Sequence, residues 1–178
     1  EAGSMVGSRG MVVMDESTCM VDVAKYFLTF LQDESCGKCA PCRLGIDRML
    51  EIITDITNGD GDPKQLGLLE DLGYTMSETA LCGLGKTAAN PVLSTLRYFR
   101  EEYETHIDEK RCPAGVCQAL ITFTIDPETC NGCGACKREC PHNAVVGKKK
   151  AVHSIDLDLC QKCGICRSEC KFDAVNVN

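Results

Sequence analysis

The sequence predicts an all-α four-helix bundle domain followed by a smaller α+β domain. Two observations support this fold class. Apolar residues recur at helical spacing through the first part of the chain, and a strand-like segment with two similar cysteine-rich blocks makes up the rest. The predicted parts are an entry loop and strand at residues 1–17, the bundle at 18–106, a linker at 107–118 and the α+β domain at 119–178.

Four segments have the apolar spacing of half-buried helices. The second begins at a proline, which suits a first helical turn, and ends at an Asn-Gly-Asp-Gly-Asp-Pro sequence. In the fourth, Phe99 and Tyr103 are expected to face the core. The predicted helices run from about Thr18 to Gln32, from near Pro41 to Asn58, from Lys64 to Leu72 and from Asn90 to Glu104.

Cysteine dominates the composition, with fifteen residues in a chain of 178. Most of them follow one another at C-x-x-C steps, which are too short for comfortable disulfides but suit a shared metal centre. An odd number also argues against the complete pairing found in small secreted domains. We therefore predict metal binding in a reducing compartment, the cytoplasm.

Charge and hydropathy exclude several other classes of protein. The net charge of -7 argues against a nucleic-acid-binding face, and no apolar run has the length that a membrane span requires. The chain begins with Glu and without an apolar signal stretch, so we expect an internal or C-terminal fragment of a longer polypeptide. No catalytic triad, phosphate-binding loop or HExxH motif occurs, and we predict no catalytic residue.

The two cysteine-rich blocks are copies of one motif, C-x2-C-x2-C-x3-C, placed thirty residues apart. This spacing is typical of bacterial ferredoxins, in which the fourth cysteine of each run binds the cluster of the other run. Residues 119–178 thus resemble a two-cluster [4Fe–4S] ferredoxin, although Lys171 replaces the proline that follows the first run; a zinc ribbon is the alternative. Cluster 1 is predicted on Cys130, Cys133, Cys136 and Cys170, and cluster 2 on Cys160, Cys163, Cys166 and Cys140.

A third group of cysteines lies before the second predicted helix. Cys36, Cys39 and Cys42 also follow at three-residue steps, and a helix N-terminus favours an anionic cluster. Cys82, on a Gly-rich turn between the third and fourth helices, can supply the fourth ligand. We predict a third [4Fe–4S] cluster here, with a zinc site or a group of structural thiols as alternatives.

The sequences ESCGKCAPCRLG and LCGLGKTAANPV in this region resemble the C-terminal part of the NADH-oxidising flavoprotein subunit of complex I-like dehydrogenases. With a ferredoxin-like extension, the chain resembles the beta subunit of multimeric NAD(P)-dependent [FeFe]-hydrogenases, some of them electron-bifurcating. NAD-dependent formate dehydrogenases are the next nearest family. The resemblance implies that the bundle cluster takes electrons from FMN, and that the partners are a hydrogenase catalytic subunit and a thioredoxin-like [2Fe–2S] subunit.

The FMN- and NAD(P)-binding region of that family is expected before residue 1. The sequence AGSMVGSRG resembles the segment that leaves this region, with Arg9 where members more often have Gly. We therefore expect neither FMN nor NAD(P) to bind to the fragment itself. The predicted function is an electron relay through three [4Fe–4S] clusters, and a purely structural zinc-binding scaffold is the alternative from another class.

Three cysteines remain after these assignments. Together with a histidine at the end of the fourth predicted helix they have the composition of a closed Cys3His zinc site, which would tie the bundle to the start of the ferredoxin domain. The alternatives are an ordinary buried thiol, a disulfide between the two cysteines of the linker, and a helix C-terminal histidine. For His142 and His153 we expect exposed or packing roles, and for Lys148–Lys150 a solvated hairpin tip. The predicted zinc ligands are Cys19, His106, Cys112 and Cys117.

Overall fold

The computed structural model describes residues 11–177 and divides the chain into two compact units, the second beginning at Ile121. Residues 1–10, with most of the predicted entry segment and Arg9, lie outside the described residues. The first unit contains α1 (Met20–Glu34), α2 (Ala40–Asn58), α3 (Lys64–Thr79), α4 (Gly83–Thr87), α5 (Asn90–Tyr98), α6 (Arg100–Asp108) and a 3-10 turn (Gln118–Leu120). The second contains β1 (Phe123–Ile125), α7 (Ala135–Glu139), β2 (Val145–Val146), β3 (Ser154–Ile155), α8 (Ile165–Ser168) and β4 (Val175–Val177).

The core of the first unit forms where α1 packs on α2 and both contact the later helices. α2 begins with Pro41 in its first turn and ends where Gly59 adopts the left-handed conformation, as the sequence predicts. Each fully buried aliphatic side chain contributes about 1.5–3 kcal/mol, so this layer dominates the stability of the unit. The fully buried side chains of the layer are Val21, Ala24, Leu28, Met49, Ile52, Ile53 and Ile56.

The fourth predicted helix is broken at Phe99, whose backbone leaves the helical region at φ -132° and ψ 35°. The hydroxyl of Thr95 bonds back to the carbonyls of Pro91 and Val92 and also to the hydroxyl of Tyr103 at 2.7 Å, which joins α5 to α6 across the break. The break rotates the helical register, so Phe99 is 44% exposed and its predicted inward position is wrong. Tyr103 is fully buried, as predicted.

Two further helical segments differ from the prediction. α3 continues for almost two turns beyond the expected end at Leu72, where Gly73 allows it to approach Leu93 of α5. The turn that carries Cys82 is followed by the short helix α4, which the sequence pattern does not reveal. The first unit is therefore helix-rich as predicted, whereas a regular four-helix bundle is not confirmed. Among the described residues, no helix has the combined length and apolar character needed to cross a bilayer.

The second unit is built from two antiparallel strand pairs, β1 with β4 and β2 with β3. Phe123 is opposite Val177 and Val145 is opposite Ile155. The strand predicted from residue 119 is shorter in the structure, because residues 118–120 form the 3-10 turn of the first unit. Two short helices, α7 and α8, contact each other and follow the two cysteine loops, in agreement with a ferredoxin-like α+β fold.

We predict that Tyr103→Phe lowers the free energy of unfolding by about 1 kcal/mol, because it removes one buried hydrogen bond while Thr95 keeps its backbone partners. Urea unfolding followed by circular dichroism measures the change. Tyr74→Phe is the matched control, since Tyr74 is 65% exposed and its replacement is expected to stay within about 0.5 kcal/mol. Equal midpoints for the two variants would contradict the role assigned to the Thr95–Tyr103 bond.

Candidate metal centres

The first cavity of the second unit lies between the loop that precedes α7 and the loop that follows α8. It is lined by the four cysteines predicted for cluster 1. Gly132 and Gly134 both have left-handed backbone conformations, with φ of 72° and 75°, and a Cβ on Gly132 would lie 2.5 Å from the backbone nitrogen of Ala151. The tight turn of this ligand loop therefore requires glycine. The lining cysteines are Cys130, Cys133, Cys136 and Cys170.

The second cavity repeats this arrangement around the loop that precedes α8. The left-handed Gly164, with φ of 78°, takes the position that Gly134 has in the first loop. The fourth cysteine of each run thus lies in the cavity of the other run, the crossed arrangement that the spacing predicts. The lining cysteines are Cys140, Cys160, Cys163 and Cys166.

The innermost thiol of each set is the least ready to ionise. Burial and the charges of neighbouring cysteines raise the pKa of Cys136, and burial followed by the charge of Cys160 raises the pKa of Cys166 to about 11. Charge on Cys136 adds to the effect at Cys166, so the two cavities lie within electrostatic reach of each other. Metal binding requires thiolates, and only a cationic centre in each cavity would hold these buried groups ionised at neutral pH.

The cysteines at the start of α2 face the turn that carries Cys82. The backbone N–H of Leu81 donates to the thiol of Cys39 and, with the N–H of Cys42, lowers the pKa of Cys39. A Cβ on Gly85 would lie 2.7 Å from the Cβ of Ala80 and 3.1 Å from the Cβ of Cys42, so only glycine lets this turn approach α2 so closely. The structure therefore brings the segment of Cys82 against two of its predicted partners.

Cys36, the remaining member of this set, lies on the exposed loop before α2. The loop turns at Gly37, which has φ of 67°, and the guanidinium of Arg43 donates to the Gly37 carbonyl. Cys82 is exposed as well, whereas Cys42 is buried. Cys36 and Cys82 therefore lie at the surface of the first unit, and Cys42 lies toward its core.

The fourth group is the most compact. Cys19, His106, Cys112 and Cys117 are all buried, and their ligand atoms lie within 4.8 Å of one another. Nε2 of His106 is 3.4 Å from the sulfurs of both Cys19 and Cys117, which are 3.8 Å apart. Within residues 11–177, no other three Cys, His, Asp or Glu side chains converge so closely. The cysteine sets predicted for the three clusters are not among the groups that converge in this way.

These separations fit a tetrahedral metal ion. Zinc–sulfur and zinc–nitrogen bonds of about 2.3 and 2.0 Å place two sulfurs about 3.8 Å apart, and a sulfur and a nitrogen about 3.5 Å apart. Nδ1 of His106 donates to the carbonyl of Glu102 at 2.7 Å, which leaves Nε2 free to bind a metal. The backbone N–H groups of Val116 and Cys117 point to the sulfur of Cys112 at 3.4 and 3.5 Å and stabilise a thiolate there.

The electrostatics of this group also indicate a cation site. Burial alone lowers the pKa of His106, but hydrogen bonds with the thiols of Cys112 and Cys19 raise it to about 10. Hydrogen bonds from Cys117 and Cys19 lower the pKa of Cys112. The raised pKa of His106 and the lowered pKa of Cys112 favour an imidazolium beside a thiolate. A metal cation that binds to this group would take the place of the proton on the imidazolium. All four residues belong to the first unit, so the group fastens the segment after α6 to the start of α1 and does not span both units.

Two histidines outside these groups have different surroundings. His142 is exposed, as expected. His153 is buried, with 3% of its surface exposed, and lines the first cavity beside its four cysteines. Sequence reasoning gave His153 no part in a metal centre, although a signal was present: it stands seven residues before Cys160, as Phe123 stands seven before Cys130. Lys148–Lys150 are exposed in the turn between β2 and β3, as predicted.

Comparison with known protein families agrees with this geometry. Residues 22–106 match the family described as the NADH-ubiquinone oxidoreductase-F iron–sulfur binding region. Residues 123–146 and 153–176 match the 4Fe-4S binding domain. The chain therefore contains a region that matches the first of these iron–sulfur families and two segments that match the second. The first match covers the bundle with Cys36, Cys39, Cys42 and Cys82, and the second covers both ferredoxin-like repeats.

Individual relatives extend the comparison over both units. The chain is 55% identical over 150 residues to the NADP-reducing hydrogenase subunit HndC of Solidesulfovibrio fructosivorans, a match that covers 84% of this chain and 31% of the relative. It is 45% identical over 112 residues to an NADH-quinone oxidoreductase subunit of Rhizobium meliloti, over 63% of this chain and 27% of the relative. The chain therefore spans about a third or less of the length of these relatives.

A solved structure supports the same family. The chain resembles a protein in the crystal structure of NAD+-reducing [NiFe]-hydrogenase in the H2-reduced state, with a TM-score of 0.52 and 30% sequence identity. The similarity covers 54% of this chain and 17% of the other. The resemblance to NAD(P)-linked hydrogenases and complex I found in the sequence is therefore confirmed.

We predict that Gly85→Ala removes the iron of the bundle cluster while leaving the ferredoxin-like clusters loaded. The added Cβ would overlap Ala80 and Cys42, and neither neighbour is the end of a flexible side chain, so the turn carrying Cys82 must move away. Iron and sulfide analysis after anaerobic reconstitution measures the loss. Gly83→Ala is the control, because a Cβ there meets nothing within 4 Å. Full iron content in Gly85→Ala would contradict the placement of Cys82 in this site.

Proposed function

We propose that this chain relays single electrons through three [4Fe–4S] clusters, between an FMN bound elsewhere in a longer polypeptide and a partner redox subunit. The observation that carries the proposal is the crossed pair of cavities in the second unit, each lined by four cysteines and close enough for Cys136 to act on Cys166. Each bound cluster supplies one-electron oxidation and reduction. Neighbouring clusters permit transfer between them without bond chemistry on the protein.

The cysteine side chains differ in exposure in a way that suits a relay. Cys36 and Cys82 are exposed, so the cluster of the first unit would lie near a surface that an electron donor can approach. Cys136 and Cys166 are buried, whereas the other cysteines of their two cavities are half-buried or exposed. Burial and backbone hydrogen bonds to sulfur are the means by which a protein adjusts cluster potentials, and both are present at these sites.

The parent enzyme that we propose is an NAD(P)-linked hydrogenase that includes a hydrogenase catalytic subunit and a thioredoxin-like [2Fe–2S] subunit. The support is the identity to a subunit of an NADP-reducing hydrogenase over 84% of this chain. Fifteen free thiols suit a reducing compartment, and we propose the cytoplasm.

The second part of the proposal is a structural zinc ion on Cys19, His106, Cys112 and Cys117. Sulfur–sulfur and sulfur–nitrogen separations that match tetrahedral edges support it, and so does the carbonyl partner that fixes the ring of His106. Four protein ligands close the site, so the ion would serve structure and not catalysis. Its role is to hold residues 109–117, which contain no helix or strand, against α1 and α6.

Anaerobic reconstitution of the full chain tests the relay. We expect iron and sulfide equal to three [4Fe–4S] clusters, and an electron paramagnetic resonance signal that changes shape as neighbouring clusters become reduced together. Cys136→Ser should remove one ferredoxin-like cluster, and Cys39→Ser should remove only the bundle cluster. A reduced protein with no cluster signal would leave the zinc scaffold as the function, whereas co-purification with a formate dehydrogenase subunit would replace the hydrogenase as parent.

We predict that Cys112→Ser removes the zinc, leaves all three clusters assembled, and lowers the free energy of unfolding of the first unit by roughly 2–5 kcal/mol. Metal analysis by mass spectrometry and thermal unfolding measure the two effects. Cys36→Ser is the reciprocal control, since it should lose iron and keep zinc. Wild-type protein with complete iron and no zinc, purified anaerobically, would refute the zinc site.

A further inference from the structure

The two cavities of the second unit differ mainly in one internal side chain. Every lining residue of the first cavity has a counterpart thirty residues away in the second, because the unit is a duplication. Most counterparts are identical or chemically similar. The exceptions are two exchanges of histidine and phenylalanine: His153 of the first cavity corresponds to Phe123 of the second, and Phe172 corresponds to His142.

Of these two pairs of equivalent positions, only the pair of His153 and Phe123 is buried inside the unit. His153 and Phe123 are 3% and 5% exposed, whereas Phe172 is 46% exposed and His142 is also an exposed residue. Water competes for any hydrogen bond that an exposed imidazole makes, so His142 adds little to the second cavity. The first cavity alone therefore contains a buried imidazole.

The ring of His153 is held against the ligand loop. Its Nε2 lies 3.8 Å from the position of a Cβ on Gly134, and the Cζ of Phe123 lies 3.7 Å from the same position on Gly164. A Cβ on Gly147 would lie 2.7 Å from two ring carbons of His153, so glycine at that position makes room for the ring. The two rings thus occupy equivalent places in their cavities.

One atom of this buried ring lacks a partner. Nδ1 of His153 is inaccessible to solvent and has no hydrogen-bond partner among the described residues. A buried polar atom left without a partner is rare and unfavourable. The cavity that His153 lines is the one whose four cysteines would hold a cluster, and cluster sulfurs accept hydrogen bonds. A cluster bound in this cavity would therefore place hydrogen-bond acceptors beside a ring that has an unpartnered nitrogen.

We propose that His153 donates a ring N–H to the cluster held by Cys130, Cys133, Cys136 and Cys170 and makes it the stronger electron acceptor of the two ferredoxin-like clusters. Reduction adds negative charge, which a hydrogen-bond donor at the sulfurs stabilises, and Phe123 provides no such donor to the other cluster. The chain thereby fixes the order in which its paired clusters accept an electron. This inference rests on the proposed function, since it requires both clusters.

The test is the distribution of one electron between the two clusters. Full chain with isotope-labelled cysteine is reconstituted anaerobically and reduced stepwise, and paramagnetic shifts of the cysteine β-carbons report which cluster holds the electron. We expect His153→Phe to shift the distribution about tenfold away from the first cluster, which corresponds to about 59 mV for one electron. His153→Asn, which keeps a donor near the position of Nδ1, should retain most of the wild-type distribution.

Two controls separate the effect from packing. Phe123→His should shift the distribution toward the second cluster, and it decides the question if His153→Phe fails to assemble. His142→Phe removes an exposed imidazole and should leave the distribution unchanged. A distribution unaltered in both His153→Phe and Phe123→His, with full iron content, would overturn the inference and leave the relay intact. Wild-type protein without two ferredoxin-like clusters would instead overturn the proposed function.

Discussion

The second unit depends on the charge balance between convergent thiolates and the metal that they surround. Its strands contain only two or three residues each, and a unit of this size buries too little apolar surface to be secure on that basis alone. Four cysteines meet in each cavity, where burial and mutual repulsion keep the innermost thiol protonated. The iron ions of bound clusters would offset this repulsion and make the clusters the main cross-links of the unit. Each cluster would join the two halves of the duplication because its ligands come from both.

The first unit is organised in the opposite way. Its helices bury a continuous apolar layer between α1 and α2, and this layer owes nothing to metal ligands. The two metal centres proposed for this unit lie at its margins: one at the start of α2 with the turn of Cys82, and one where residues after α6 return to the start of α1. Metal loss at these margins is therefore expected to release local segments, whereas loss in the second unit removes the fold itself.

Short-range spacing explains how much of the molecule could be predicted. Cysteine spacing of three residues defines each ligand loop locally, and the duplication indicates which distant cysteine completes each set, so the structure groups the same residues that the sequence does. The remaining candidate metal ligands could also be predicted as one group, because few other combinations were left once the other cysteines had been assigned. In the structure they converge: Cys19, His106, Cys112 and Cys117. The break at Phe99 and the short helix α4 were missed, because apolar periodicity does not report the contacts made there: the Thr95–Tyr103 hydrogen bond across the break and the close approach of Gly85 to Cys42.

The place of His153 beside the cysteines of the first cavity was missed for a related reason, and a duplicated relay of the kind proposed needs such a departure from its own symmetry. Two identical sites would have equal potentials and would share an electron evenly, with no preferred direction. A change at a ligand would endanger cluster assembly, and a change at an exposed position would be weakened by water. A buried position beside the ligand loop, such as that of His153 and Phe123, permits one hydrogen-bond donor to distinguish the sites while the cysteine geometry stays the same. A periodic pattern cannot reveal such a position, because its importance lies in the difference between two otherwise equivalent repeats.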